Sequence, residues 1–104
     1  MKITNIQTTQ IDIHVSGGII DIMAATLDHT TEHDYCASVS QQTYVYGGGV
    51  ELGALVRVIN HPRHPKTPGA LRGLAEGLAL AIMEMTGTDT AFIVDDRVTN
   101  RVER

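Results

Sequence analysis

The strongest constraint on this chain is one helix whose ends and apolar face are all written in the sequence. Thr67-Pro68 opens it. Threonine carries the side-chain oxygen an N-cap needs, and proline suits the first helical position, where its missing N–H would have no partner anyway. Leu71, Leu74, Leu78, Ile82 and Met85 then recur at helical spacing, and Gly87 is placed to stop the run. A helix over residues 68–86 with one apolar stripe must lie on something, and the rest of the chain has to supply it.

Strand signals supply a sheet. Residues 10–15 alternate polar and apolar, and Gly17-Gly18 suits a two-residue turn. Folding there sets Val15 against Ile20, Ile13 against Ile22 and Ile11 against Ala24, with His14 facing Asp21 and Asp12 facing Met23 on the other side. Ile19, Ile20, Met23 and Leu27 also share a helical face, but the paired register favours a hairpin. Residues 28–34 are polar and read as a connection. Residues 35–46 return to strand character, with Ala37, Val39, Thr43 and Val45 on one side, and Gly47-Gly48-Gly49 breaks the pattern. Residues 50–59 fit both periods. Leu52, Leu55, Val56 and Ile59 make a helical stripe, whereas a turn at Gly48-Gly49 sets Val45 opposite Leu52, Thr43 opposite Ala54 and Val39 opposite Val58. The β-branched ending Val56-Arg57-Val58-Ile59 favours the strand. Residues 91–94 are a short apolar run read as a buried strand, and the charged residues 95–104 extend it or fray. The expected class is α+β: an antiparallel meander of about four strands, one long helix over 68–86 packed on the sheet, and a C-terminal strand.

A chain of 104 residues is one domain. Its core must be aliphatic, because there are three Tyr, one Phe and no Trp. A net charge of −4 argues against general nucleic-acid binding, which needs a basic surface. The single cysteine excludes an internal disulfide and fits a reducing compartment. No leader is visible, and no apolar run approaches the ~20 residues of a membrane span. The expectation is a soluble cytoplasmic domain.

The helix carries a second signal. Gly69, Gly73 and Gly77 recur every four residues on the side away from the leucines, with Leu80 and Met83 near them. Glycine inside a helix costs ~1 kcal/mol relative to alanine, so the stripe calls for compensation. Close approach of a second subunit supplies it, and the chain is expected to form a homo-oligomer, a dimer being the commonest kind. Tight packing within the chain itself would account for the same residues.

Five groupings bear chemistry. Arg63, His64 and Lys66 precede the N–H groups after Thr67, a combination suited to phosphate or carboxylate, though the same residues make an ordinary solvated loop. His29, His33 and Cys36 span eight residues with ligand types suited to zinc, but without the four spaced ligands of the familiar patterns. His14 and Asp21 would pair an imidazole with a carboxylate, as acid–base catalysis and plain surface ion pairs both do. Cys36 as a nucleophile lacks any flanking signature. Tyr44 and Tyr46, beside three glycines, could stack a planar ligand or simply cover the core edge. No motif ties two catalytic groups together. The first reading is therefore a non-enzymatic, homo-oligomeric binding module for a small anionic or planar ligand or a protein partner. The alternative is a small enzyme using His/Asp acid–base chemistry or a metal near His29 and His33. The sequence names no cofactor.

Overall fold

The computed structural model describes residues 1–6, 8–96 and 98–104. The elements run β1 (Gln10–Ser16), α1 (Ile19–His33), β2 (Cys36–Tyr46), β3 (Gly49–Ile59), α2 (Pro68–Thr86), β4 (Thr90–Val94) and β5 (Thr99–Glu103). The strands form one antiparallel sheet in the order β2-β3-β1-β4-β5. The α+β class holds, with five strands and two helices among the described residues.

α2 forms as its sequence dictates. The Thr67 hydroxyl accepts the Ala70 N–H at 3.2 Å, and Gly87 ends the helix at φ 74°. Leu71, Leu78 and Ile82 are buried on the sheet, joined by Ala75, Ala79 and Met83. Met83 therefore belongs to the core rather than to a second surface. Leu80 stays exposed, and Met85 falls at the stripe's margin.

Residues 19–33 are a helix, which corrects the expected β1 hairpin. α1 buries Ile22, Ala25 and Thr26 against the sheet, and the Thr26 hydroxyl is satisfied by the Ile22 carbonyl at 2.7 Å. β1 instead runs down the middle of the sheet, where Ile11, Ile13 and Val15 pack beneath the helices between Val58, Val56 and Ala54 of β3 and Ile93 and Ala91 of β4.

β2 and β3 do form a hairpin, but its turn is Gly47-Gly48 rather than Gly48-Gly49. Both turn residues have positive φ, 53° and 79°, as a two-residue turn matched to strand twist requires. Val45 thus pairs with Val50 and Val39 with Val56, two residues from the expected register. A slip of two keeps every side chain on its face, so the apolar pattern could not detect it. The Asp95 N–H donates to the Val98 carbonyl at 3.1 Å, and the chain returns as β5, the far edge of the sheet.

Only β3 residues 53–59 pair with β1, so the rest of the hairpin projects as a two-stranded arm. The molecule measures 49 × 27 × 27 Å, and its radius of gyration of 14.0 Å exceeds the ~13 Å of a compact chain of this length. α1 lies over β2 and β3, and α2 over β1 and β4.

Candidate functional site

Three surfaces gather polar groups. The first is a cleft of about 250 Å³ where β2 begins and β3 ends, lined by Asp34, Tyr35, Cys36, His61, Arg63, His64 and Lys66 among others. The pairing of Cys36 with Ile59 creates it, because the basic loop leaves β3 beside the entry to β2. The loop is ordered by its own bonds. His64 N–H donates to the His61 carbonyl, Arg63 N–H to His61 Nδ1, and Lys66 N–H to Asn60 Oδ1, all near 3 Å. Arg63 and Lys66 form no ion pair among the described residues. Two groupings that the sequence kept apart, the basic loop and Cys36, thus share one wall.

Beside this cleft, His29 and His33 stack one turn apart with ring centroids 4.3 Å apart. His29 Nδ1 lies 2.6 Å from the Tyr35 hydroxyl. Burial pushes the Tyr35 phenol above its ordinary range, so it keeps its proton and donates it. Desolvation, helped by the neighbouring His33, lowers the His29 pKa, so the ring is the neutral acceptor. Its far nitrogen, Nε2, sits 3.1 Å from where a Gly77 Cβ would be. Among the described residues no group of three His, Cys, Asp or Glu is disposed to hold a metal ion. His29 is engaged by Tyr35 and packed on α2, and Cys36 lies on the next element.

The second surface is a larger cleft of about 520 Å³ where the start of α1 meets the base of the hairpin arm. Gly17, Gly18, Ile19, Ile20, Asp21, Gln41, Leu52 and Gly53 line it. The N-cap residue of α1 is Gly18, which has no side chain to cap the first-turn N–H groups. Asp21 forms no ion pair among the described residues. The sequence reading missed this cleft, because it exists only once residues 19–33 are helical.

The third is the open face of the sheet. His14 faces Leu55 and Phe92 across the strands, while Asp21 sits on α1, so the expected His14–Asp21 pair does not form. Tyr44 takes the place of Asp21, its hydroxyl 3.0 Å from His14 Nδ1 and 3.0 Å from the Ala54 carbonyl. A phenol has one proton and the carbonyl claims it, so His14 Nδ1 carries hydrogen and donates to the tyrosine oxygen. Gly53 makes this possible, since a Cβ there would meet the Tyr44 ring at 3.0 Å and the Val15 carbonyl at 2.2 Å. Asp12 is held by a two-pronged contact with Arg57 at 2.8 and 3.1 Å, which keeps its carboxyl below the usual carboxylate range. Tyr46 is at the arm tip and donates to Glu51 at 3.1 Å. Tyr44 and Tyr46 lie along β2 toward the tip, with Cys36 and the basic loop at the other end, so the two groups cannot grip one small ligand.

Of the glycine stripe, Gly69 and Gly73 have open space where a Cβ would be, and Gly77 has His29. One of the three is therefore accounted for within the chain.

The order β-α-β-β-α-β, with one strand added beyond β4, is that of a ferredoxin-like domain. A de novo designed protein with a ferredoxin fold superposes with a TM-score of 0.52 at 11% identity, covering 95% of this chain and 86% of the design. A phage SAM lyase in its apo state superposes with a TM-score of 0.81 at 13% identity, covering 100% of this chain and 97% of the lyase. A phage SAM lyase bound to S-methyl-5′-thioadenosine gives 0.72 at 10% identity, over 100% and 95%. No family model and no curated protein matches the sequence. These likenesses establish the fold.

Proposed function

We propose that this chain binds S-adenosylmethionine (SAM) and cleaves it as a lyase. One observation carries the reading: the likeness to the phage lyase spans both chains end to end at 0.81, whereas the shared ferredoxin topology alone reaches 0.52 in the design. Sequence identity is similarly low in both, so the difference lies in geometry.

Size favours the cleft at the start of α1. Small-molecule sites usually occupy ~300–1,000 Å³, and this cleft has about 520 Å³ against about 250 Å³ for the basic one. Its groups suit the ligand. Asp21 offers a carboxylate to the ammonium or sulfonium, and uncapped first-turn N–H groups offer donors to the carboxylate. Ile19, Ile20 and Leu52 give apolar area for the nucleoside, and Gln41 an amide for its polar edge. The chemistry asks little more. When the bond from the methionyl γ-carbon to sulfur breaks, both electrons pass to the sulfonium and leave neutral methylthioadenosine, so the leaving group needs no proton. The carbon fragment departs as a lactone if the substrate's own carboxylate attacks, or as an unsaturated amino acid if a base removes a neighbouring proton. Holding and desolvating the substrate is then the protein's main task.

A second reading places an anionic ligand at Arg63, His64, Lys66 and the α2 start, favoured by the absence, among the described residues, of any ion pair for Arg63 and Lys66. One experiment addresses both. The purified protein is incubated with SAM, products are followed by chromatography and mass spectrometry, and binding by calorimetry. Methylthioadenosine should accumulate with the wild type, fall at least ~10-fold with Asp21→Asn through loss of a charged contact, and persist with Arg63→Ala/Lys66→Ala. Binding that survives Asp21→Asn and vanishes in the double variant moves the ligand to the basic cleft. Neither binding nor turnover by the wild type overturns the SAM reading.

A further inference from the structure

One flank of the molecule carries three features that nothing among the described residues completes. The first is β2 itself, an edge strand of 11 residues. It pairs with β3 in unbroken register with no bulge, and residues 36–46 include no charged residue and no proline. Proteins blunt exposed edges with charge, proline, bulges or short length, because an open edge recruits another strand. β5, the opposite edge, follows that rule with five residues that include Arg101 and Glu103. β2 has none of these protections.

Hairpin geometry fixes which backbone groups of β2 are open. The two-residue turn makes Tyr46 and Gly49 the hydrogen-bonded closing pair, so the even-numbered residues of β2 bond to β3. Ala37, Val39, Gln41, Thr43 and Val45 therefore direct their N–H and C=O groups outward. The second feature lies above them. α1 packs over β2 and β3, and its buried side and His29, which faces α2, leave one flank turned away from α2. That flank carries Ile20, Met23 and Leu27, each more than half exposed. The third is the arm, whose helix-side face shows Val45, Val50 and Leu52 to solvent.

We propose that this flank is covered by a second copy of the chain, whose own β2 pairs edge to edge with β2 and continues the sheet. A second copy fits because the surface is its own complement. Run antiparallel about a two-fold axis, five outward donor–acceptor residues meet an identical row, and the same rotation brings the two apolar α1 flanks together. The area also suffices. At ~3.4 Å per residue an 11-residue edge is ~37 Å long, and two layers stacked ~10 Å apart give on the order of 700 Å², close to the ~800 Å² per partner of a stable interface. The inference does not depend on the SAM reading, and it moves the expected assembly surface from the glycine stripe to the β2 flank.

Native mass spectrometry and light scattering on the full chain test it with three variants. Gln41→Pro removes an outward N–H and no β2–β3 bond, so it should give a monomer with unchanged helical circular dichroism. Thr43→Lys leaves the backbone intact and adds charge at the edge, and should raise the dimer dissociation constant at least ~10-fold. Gly73→Leu, which meets open space in its own chain, should leave the dimer intact. A wild type monomeric at high micromolar concentration overturns the proposal, as does an assembly that survives both β2 changes. Loss of the dimer with Gly73→Leu but not with Gln41→Pro would return the interface to the glycine stripe. Each result is read from mass alone, so it stands whether or not the protein turns over SAM.

Discussion

At the scale of single residues, the glycines of α2 and the histidine that touches them separate packing from tolerance. Gly73 and Gly77 have the same helical setting, yet a Cβ at Gly73 meets nothing and one at Gly77 meets His29 Nε2 at 3.1 Å. Gly73→Ala should therefore gain up to the ~1 kcal/mol of helix propensity, raising the thermal midpoint by several degrees. Gly77→Ala should gain little or lose, because the imidazole must shift while still accepting from Tyr35. Equal gains at both sites would show that the His29 ring is not seated on α2. His29 also makes stability depend on pH. Around it stand His33 and Glu32 on α1, Tyr35 before β2, and Gly77 on α2; burial dominates and lowers its pKa. The unfolded chain then binds the proton more readily, so stability rises with pH through the window below the ordinary value of ~6.5. Protonation also turns Nδ1 into a donor facing the Tyr35 donor. The midpoint should fall on acidification from neutral pH into that window, and His29→Gln should flatten the slope. A wild-type profile identical to that of His29→Gln would remove His29 as the cause.

At the scale of elements, what could be read from the sequence follows from where each signal is written. α2 was legible to its boundaries because cap, stripe and stop are local and its buried face is leucine-rich. α1 was not, because its buried residues are only Ile22, Ala25 and Thr26, two of them small or polar, with the polar His29 half-buried beside them. Its polar members are satisfied by the Ile22 carbonyl and by Tyr35, partners the sequence does not display. Ile20, Ile22 and Ala24 alternate after Gly17-Gly18 and imitate a strand leaving a turn, while Ile20, Met23 and Leu27, which carry the competing helical signal, face outward. A stretch of 15 residues was the available signal, being long for a strand and ordinary for a helix. The site divides the same way. The basic loop is contiguous, so its cations could be named in advance, whereas its union with Cys36 needed the β2–β3 register. The larger cleft needed α1 as well and so was invisible. Tyr44 was singled out for its ring, but its bonds to His14 and Ala54 depend on Gly53, a strand glycine whose role appears only when β1 and β2 flank it.

At the scale of the whole molecule, body and arm have different energetics. The body holds the apolar core, drawn among the described residues from β1, α1, β3, α2 and β4, and β5 closes it as Val102 packs inward and the Arg104 guanidinium donates to the Met83 carbonyl at 2.6 Å. The arm beyond Tyr44 and Glu51 contributes no residue to that core. Val45, Tyr46 and Val50 are 74%, 66% and 70% exposed. A two-stranded ribbon without a third strand or a helix has little stability of its own, so the arm is held by its connection to the body. Replacing residues 45–50 by Asn-Gly would close the hairpin at Tyr44 and Glu51, which the alternation makes the next hydrogen-bonded pair, and would leave the Tyr44 bonds in place. The monomeric body should unfold within about 5 °C of the parent, the shift that ~1 kcal/mol produces in a domain of this size. Two-state unfolding with superimposable fluorescence and circular dichroism curves is expected for both chains. A loss of stability several times larger would mean that the arm transmits order into β3 and β1, and that body and arm are a single cooperative unit.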